Sequence, residues 1–165
     1  MAMVDELLYI KSFREQQAET ALQRSRAELR VAREAEEHAR QERDEFARRA
    51  VEDELRWYRE LCERVVRVRD IEDVQVAVAG LRQQEAHLQQ ALEMKESERE
   101  QSQDRFKQAG EHLRVASTAR NKFEELAKQH HLAVSKEAER KEELELEELA
   151  GVVRDREEWS GGEDD

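Results

Sequence analysis

Stepping alternately by three and four residues from Val4 meets Leu8, Lys11, Glu15, Ala18, Leu22, Ser25, Leu29, Ala32, Glu36, Ala39, Arg43, Phe46 and Ala50. A second seam of the same step starts at Ile71 and passes Val74, Val78, Leu81, Glu85, Leu88, Leu92, Lys95, Arg99, Ser102, Phe106, Ala109, Leu113, Ala116, Arg120, Phe123 and Ala127. It continues through His130, Val134, Glu137 and Lys141 to Leu144 without losing frame. A mostly apolar seam with a mean spacing of about 3.5 residues predicts two long helices that supercoil with left-handed twist. Near Ala50 the first seam slides by one, to Val51, Leu55, Tyr58, Cys62 and Val65, which reads as a stutter and leaves Trp57 outside it.

Between the seams lies RVVRVRDIEDVQVAVAG, Arg64 to Gly80, where valines alternate with polar residues as on a strand. Ile71, Val74, Val78 and Leu81 are nevertheless in phase with everything downstream. No Asn-Gly or Asp-Gly pair offers a hairpin turn, and an isolated two-stranded hairpin is marginal in water. Asp70 reads as an N-cap, with Asp73 completing an imperfect capping box. The valines cost a few tenths of a kcal/mol each in helix propensity, which burial of large seam residues at about 1.5 to 3 kcal/mol each outweighs.

The predicted fold is therefore all-α, a long antiparallel two-helix coiled-coil hairpin forming one domain over residues 1–158. Helix 1 is expected over about 4–67, a turn over 68–70, helix 2 over about 71–150, and a disordered acidic tail over 159–165. With the bend there, position i is expected to face about 138 − i, which puts Ala39 near Arg99, Phe46 near Leu92 and Leu22 near Ala116. The excess length of helix 2 leaves everything beyond about Val134 without an intramolecular partner.

Composition narrows the function. Of the residues 42% are charged and 5% aromatic, with no proline, so a thick globular core is excluded. The abundance of Ala, Leu, Glu, Gln, Arg and Lys separates this chain from a disordered one of similar charge. A formal net charge of −12 argues against a nucleic-acid binder and against an anionic membrane surface. No stretch approaches the roughly 20 apolar residues needed to span a bilayer, and MAMVDELLYIKSFRE lacks the form of a signal peptide. A single cysteine, Cys62, suits a reducing cytoplasm and, at a seam position, reads as a small buried hydrophobe. No cofactor or metal is expected. His130 and His131 point about 100° apart on a helix, Glu34 and His38 are a chance spacing in a Glu-rich chain, and no Gly-rich phosphate loop exists.

Two stretches carry a family resemblance. RDIEDVQVAVAGLRQQEAHLQQALEMKESEREQ resembles the part of YscO-type proteins where an acidic cap leads into an amphipathic turn and a Leu-Arg-x-x-Glu element, here Asp70, Leu81, Arg82 and Glu85. ARNKFEELAKQ resembles their basic-Asn-Lys-Phe element, here Asn121, Lys122, Phe123 and Leu126, followed by a Glu-rich end. The chain is thus similar to the YscO and FliJ family of type III export systems, in its first half by pattern alone. The resemblance implies a non-enzymatic stalk in the bacterial cytoplasm, peripheral to the inner membrane. Its partners would be the hexameric export ATPase, entered by the end holding both termini, and the cytoplasmic ring of the export gate, met by the bend. Secretion chaperones are further possible partners. The other readings are a generic coiled-coil scaffold or chaperone-escort adaptor, and a metal- or nucleotide-using helical enzyme.

For the bend end the candidate contacts are Arg56, Trp57, Arg59, Arg64, Arg67 and Arg69, a basic cluster with an aromatic in an acidic protein. The alternative there is Trp57 packed on the partner helix and arginines paired with Glu54, Glu60 and Glu63. For the termini end the candidates are Leu7, Leu8, Ile10, Phe13 and Arg14 beside Lys128, His130 and His131, against ordinary packing of the hairpin terminus.

Overall fold

The computed structural model describes residues 3–161, and these form two helices, α1 (Met3–Cys62) and α2 (Val68–Ser160), joined by residues 63–67. The fold is all-α, a helical hairpin with no strand among the described residues. Asp5 and Glu6 in the first turn of α1 and Arg59 in its last complement the helix dipole. Residues 162–165 of the expected tail lie outside the described residues, whereas Trp159 and Ser160 belong to α2.

The bend comes earlier than expected. Helix α1 stops at Cys62 rather than near residue 67, with the Glu63 amide still donating to the Arg59 carbonyl at 3.2 Å. Val65 and Val66 follow, two β-branched residues of low helix propensity, and Val65 is fully exposed, so no burial repays that cost. Asp70 caps α2 in a different way from the one expected. It sits in the first turn and reaches back, its Oδ2 accepting from the Arg67 amide at 3.0 Å, as the third helical residue does in a capping box. The valines from Val68 to Val78 are all helical.

The described chain divides into two compact units, one of residues 18–113 and one of residues 3–17 with 114–161. In the first, Leu29, Ala39, Ala50 and Leu92 are buried together with Glu36. In the second, Ala127 is buried, the seam positions up to it are half-buried, and those from His130 to Leu144 are exposed. Every seam position from Val4 to Ala50 and from Val74 to Ala127 is buried or half-buried.

Earlier bending moves the pairing by three to six residues, about one to one and a half helical turns. Glu36 meets Arg99, where 138 − i would give Ser102, and Leu22 lies over Gly110 rather than near Ala116. In the second unit Glu15 meets Arg120 rather than Phe123. The stutter is absent as well: the buried face runs on in frame from Ala50 through Glu54 and Trp57 to Leu61. Val51, Leu55, Tyr58 and Cys62 face outward.

Candidate functional site

Polar residues at seam positions form the chemically defined points of the hairpin. In the unit of residues 18–113, Glu36 is buried, accepting from Arg99 Nε at 2.7 Å and Arg40 Nη2 at 3.0 Å. Arg99 also donates to Gln103 at 2.9 Å, and Arg43 reaches Gln89 at 3.1 Å. Burial alone would push the Glu36 carboxyl up, but the hydrogen bonds and charges of Arg99 and Arg40 outweigh it and hold the group below its ordinary value. The same cluster raises Arg40 against its own desolvation. Charges at seam positions weaken a helix pair yet fix its register, because sliding would strand each of them. In the other unit Arg120 donates to Glu15 at 2.8 Å, and Lys11 lies 5.3 Å over the Phe123 ring.

At the bend the basic cluster is real but less uniform than the sequence implies. Trp57 is half-buried on the seam face, so it packs toward the partner helix. Arg56 donates to Asp53 at 2.8 Å, and Glu54, expected to serve these arginines, is taken by Arg82 at 2.8 Å. Arg59, Arg64, Arg67 and Arg69 are exposed, and no ion pair engages them among the described residues. Of the residues carrying the family resemblance, Leu81, Glu85 and Phe123 face the seam, while Asn121, Lys122 and Leu126 are exposed.

The termini-end candidates separate into two sets. Leu7 and Leu8 are half-buried in the helix pair. Ile10, Phe13 and Arg14 are exposed, as are Lys128, His130 and His131. His131 Nε2 lies 2.9 Å from Asp5 Oδ1, while the His130 and His131 rings meet edge-on at 5.8 Å. Lys128 is 4.0 Å from Glu124. Sequence reasoning missed Tyr9, which is 73% exposed one turn from Phe13 and extends that surface. Its signal was available: Tyr9 and Phe13 are four apart and both off the Val4, Leu8, Lys11 seam.

From Lys128 to Ala150 every residue of α2 is exposed, including Leu132, Leu144, Leu146 and Leu149. Among the described residues no group of three or more His, Cys, Asp or Glu is placed to hold a metal ion, and no helix is long and apolar enough to cross a membrane.

Comparison with known proteins accords with this geometry. A crystal structure of the type III secretion protein YscO from Vibrio parahaemolyticus is similar to the chain with a TM-score of 0.80 and 27% identity, over 88% of this chain and 92% of that one. No curated protein matches. The family model described as type III secretion protein YscO matches residues 4–152. A seam unbroken through most of the matched range, closed by an early bend and pinned by charges, is thus the form taken here by a member of the YscO family of type III secretion proteins.

Proposed function

We propose that this chain is the central stalk of an injectisome export apparatus, coupling the hexameric export ATPase to the cytoplasmic ring of the export gate on the cytoplasmic side of the inner membrane. The observation that carries this reading is the basic bend. A protein with a net charge of −12 gathers Arg59, Arg64, Arg67 and Arg69 at one bend and leaves them free of ion pairs among the described residues. Such a cluster fits an acidic protein surface, where it adds on-rate and orientation. The exposed Tyr9, Ile10 and Phe13 near the start of α1 supply a contact of different chemistry, apolar and aromatic, for the ATPase. A hairpin pinned by the Glu36 and Glu15 pairs resists sliding of one helix past the other, as transmitting a force requires. Coupling then consists of the stalk contacting successive ATPase subunits differently and so favouring different nucleotide states in each.

Charge reversal at Arg64, Arg67 and Arg69 tests the bend, and Tyr9→Ala with Phe13→Ala tests the termini end. The first variant is expected to lose pull-down of the gate ring while still binding the ATPase, and the second to do the reverse, both with helix content unchanged by circular dichroism. Retention of both partners by both variants would end the stalk reading. The exposed leucines from Leu132 to Leu149 favour a second role as a chaperone-escort adaptor, which binding of a secretion chaperone to the wild type but not to Leu146→Ser with Leu149→Ser would establish.

A further inference from the structure

Over its last three turns α1 is apolar on two faces. The inner face, with Ala50, Trp57 and Leu61, is closed by α2. The outer one carries Val51, Leu55 and Tyr58, exposed by 52%, 58% and 43%, and then the exposed Cys62. These four positions are spaced four, three and four residues apart over about 16 Å. That spacing made them look like the seam itself, and physically it is one. A 4-3-4 stripe presents the ridges into which another helix interdigitates, whereas a strand or an extended peptide would match only part of it. The hairpin's own partner helix already occupies the other face, so the helix for this stripe comes from elsewhere.

Charge narrows the occupant. One turn from the stripe on one flank stand Arg48 and Arg59, and Arg64 follows in the connector. None of the three is in an ion pair among the described residues, and the two acids among them, Glu52 and Glu63, leave the flank net basic. The other flank is spoken for, since Glu54 holds Arg82. We propose that Val51, Leu55, Tyr58 and Cys62 are a docking site for an amphipathic α-helix of a partner protein that sets acidic residues against Arg48 and Arg59. Two copies of this chain joined through the stripe would instead bring two net-basic flanks together. The inference rests on the bend end being partner-facing, as in the stalk reading, but identifies a different face of it from Trp57 and names the partner's secondary structure and charge.

The test uses the full chain and fluorescent synthetic helices of about three heptads, with leucines at the 4-3-4 spacing and flanks of glutamate in one peptide and lysine in the other. By fluorescence anisotropy the glutamate peptide binds at least roughly tenfold tighter than the lysine peptide, and added salt weakens it. Leu55→Glu with Tyr58→Ser removes at least that factor at unchanged helix content, and Arg48→Glu with Arg59→Glu inverts the preference between the peptides. Equal binding of the two peptides, no saturable binding of the glutamate peptide, or indifference to the stripe variant overturns the proposal. So does a concentration-dependent dimer by sedimentation that Leu55→Glu abolishes, or stripe-dependent binding to phosphatidylglycerol vesicles. No ring or ATPase enters the assay, so failure to capture the gate ring with peptide binding intact sinks the stalk reading alone.

Discussion

The residue-18–113 unit and the α2 stretch from Lys128 to Ala150 share a composition and a seam pattern, yet differ in what the pattern does. In the first, Leu29 and Leu92 are exposed by 5% and 1%. In the second, Leu146 and Leu149 are exposed by 66% and 61%, where nothing among the described residues covers the helix. Heptad spacing therefore says that a helix can be half-buried, not that it is. The paired stretch draws its stability from contact with the facing helix, while the unpaired one rests mainly on helix propensity, which is worth only tenths of a kcal/mol per residue.

The largest effect that separates the two regions is at Leu92. Leu92→Ala leaves a cavity at the largest fully buried side chain and is expected to destabilise by about 2 to 5 kcal/mol, read from the urea midpoint. A change at Leu92 that leaves the midpoint in place would show the seam to be loosely packed there.

Next is Glu36, where Glu36→Ala removes the acceptor shared by Arg99 and Arg40 and is expected to cost about 1 to 3 kcal/mol. Because folding depresses this carboxyl, its contribution is present above the ordinary carboxylate value and lost as pH falls through the lowered one. Wild-type stability is thus expected to drop below about pH 4.5 with a component that Glu36→Gln lacks, measurable by denaturation at stepped pH.

Smaller, and of opposite sign, is Gly80→Ala. A Cβ there meets nothing within 4 Å, and the φ angle is ordinary, so the gain in helix propensity of about 0.5 to 1 kcal/mol is expected to appear as a raised Tm. Gly151→Ala has the same open space just past the unpartnered stretch, and there it is expected to slow local amide exchange without moving the global unfolding midpoint. Least of all, Leu149→Ser is expected to change stability by under about 0.5 kcal/mol, as a surface substitution does. A drop as large as that of Leu92→Ala would mean that the exposed leucines are covered by a second molecule.

Much of the fold was readable from residue spacing. The positions from Val4 to Ala50 and from Val74 to Ala127 are the ones that face inward, because a 3.5-residue step leaves a helix only one face to bury. Where two stripes competed, spacing chose wrongly. Val51, Leu55, Tyr58 and Cys62 are more apolar than Ala50, Glu54, Trp57 and Leu61, and a sequence alone weighs apolarity without seeing that the partner helix is already committed to one side. The candidate contacts divided for the same reason. Arg59, Arg64, Arg67 and Arg69 are accessible as read, while Trp57, Leu7 and Leu8 proved to be half-buried.

The sequence by itself determined that this protein is two helices, where each one's inner face runs over most of its length, and that α2 outlasts its partner. Those follow from propensity and periodicity, which are properties of a single strand of chain. Only the tertiary structure decided the bend at residues 63–67, the register that joins Glu36 to Arg99, and which of two stripes stays outside. Each of these is a choice between nearly equal local options, and it is settled by what the other helix has within reach.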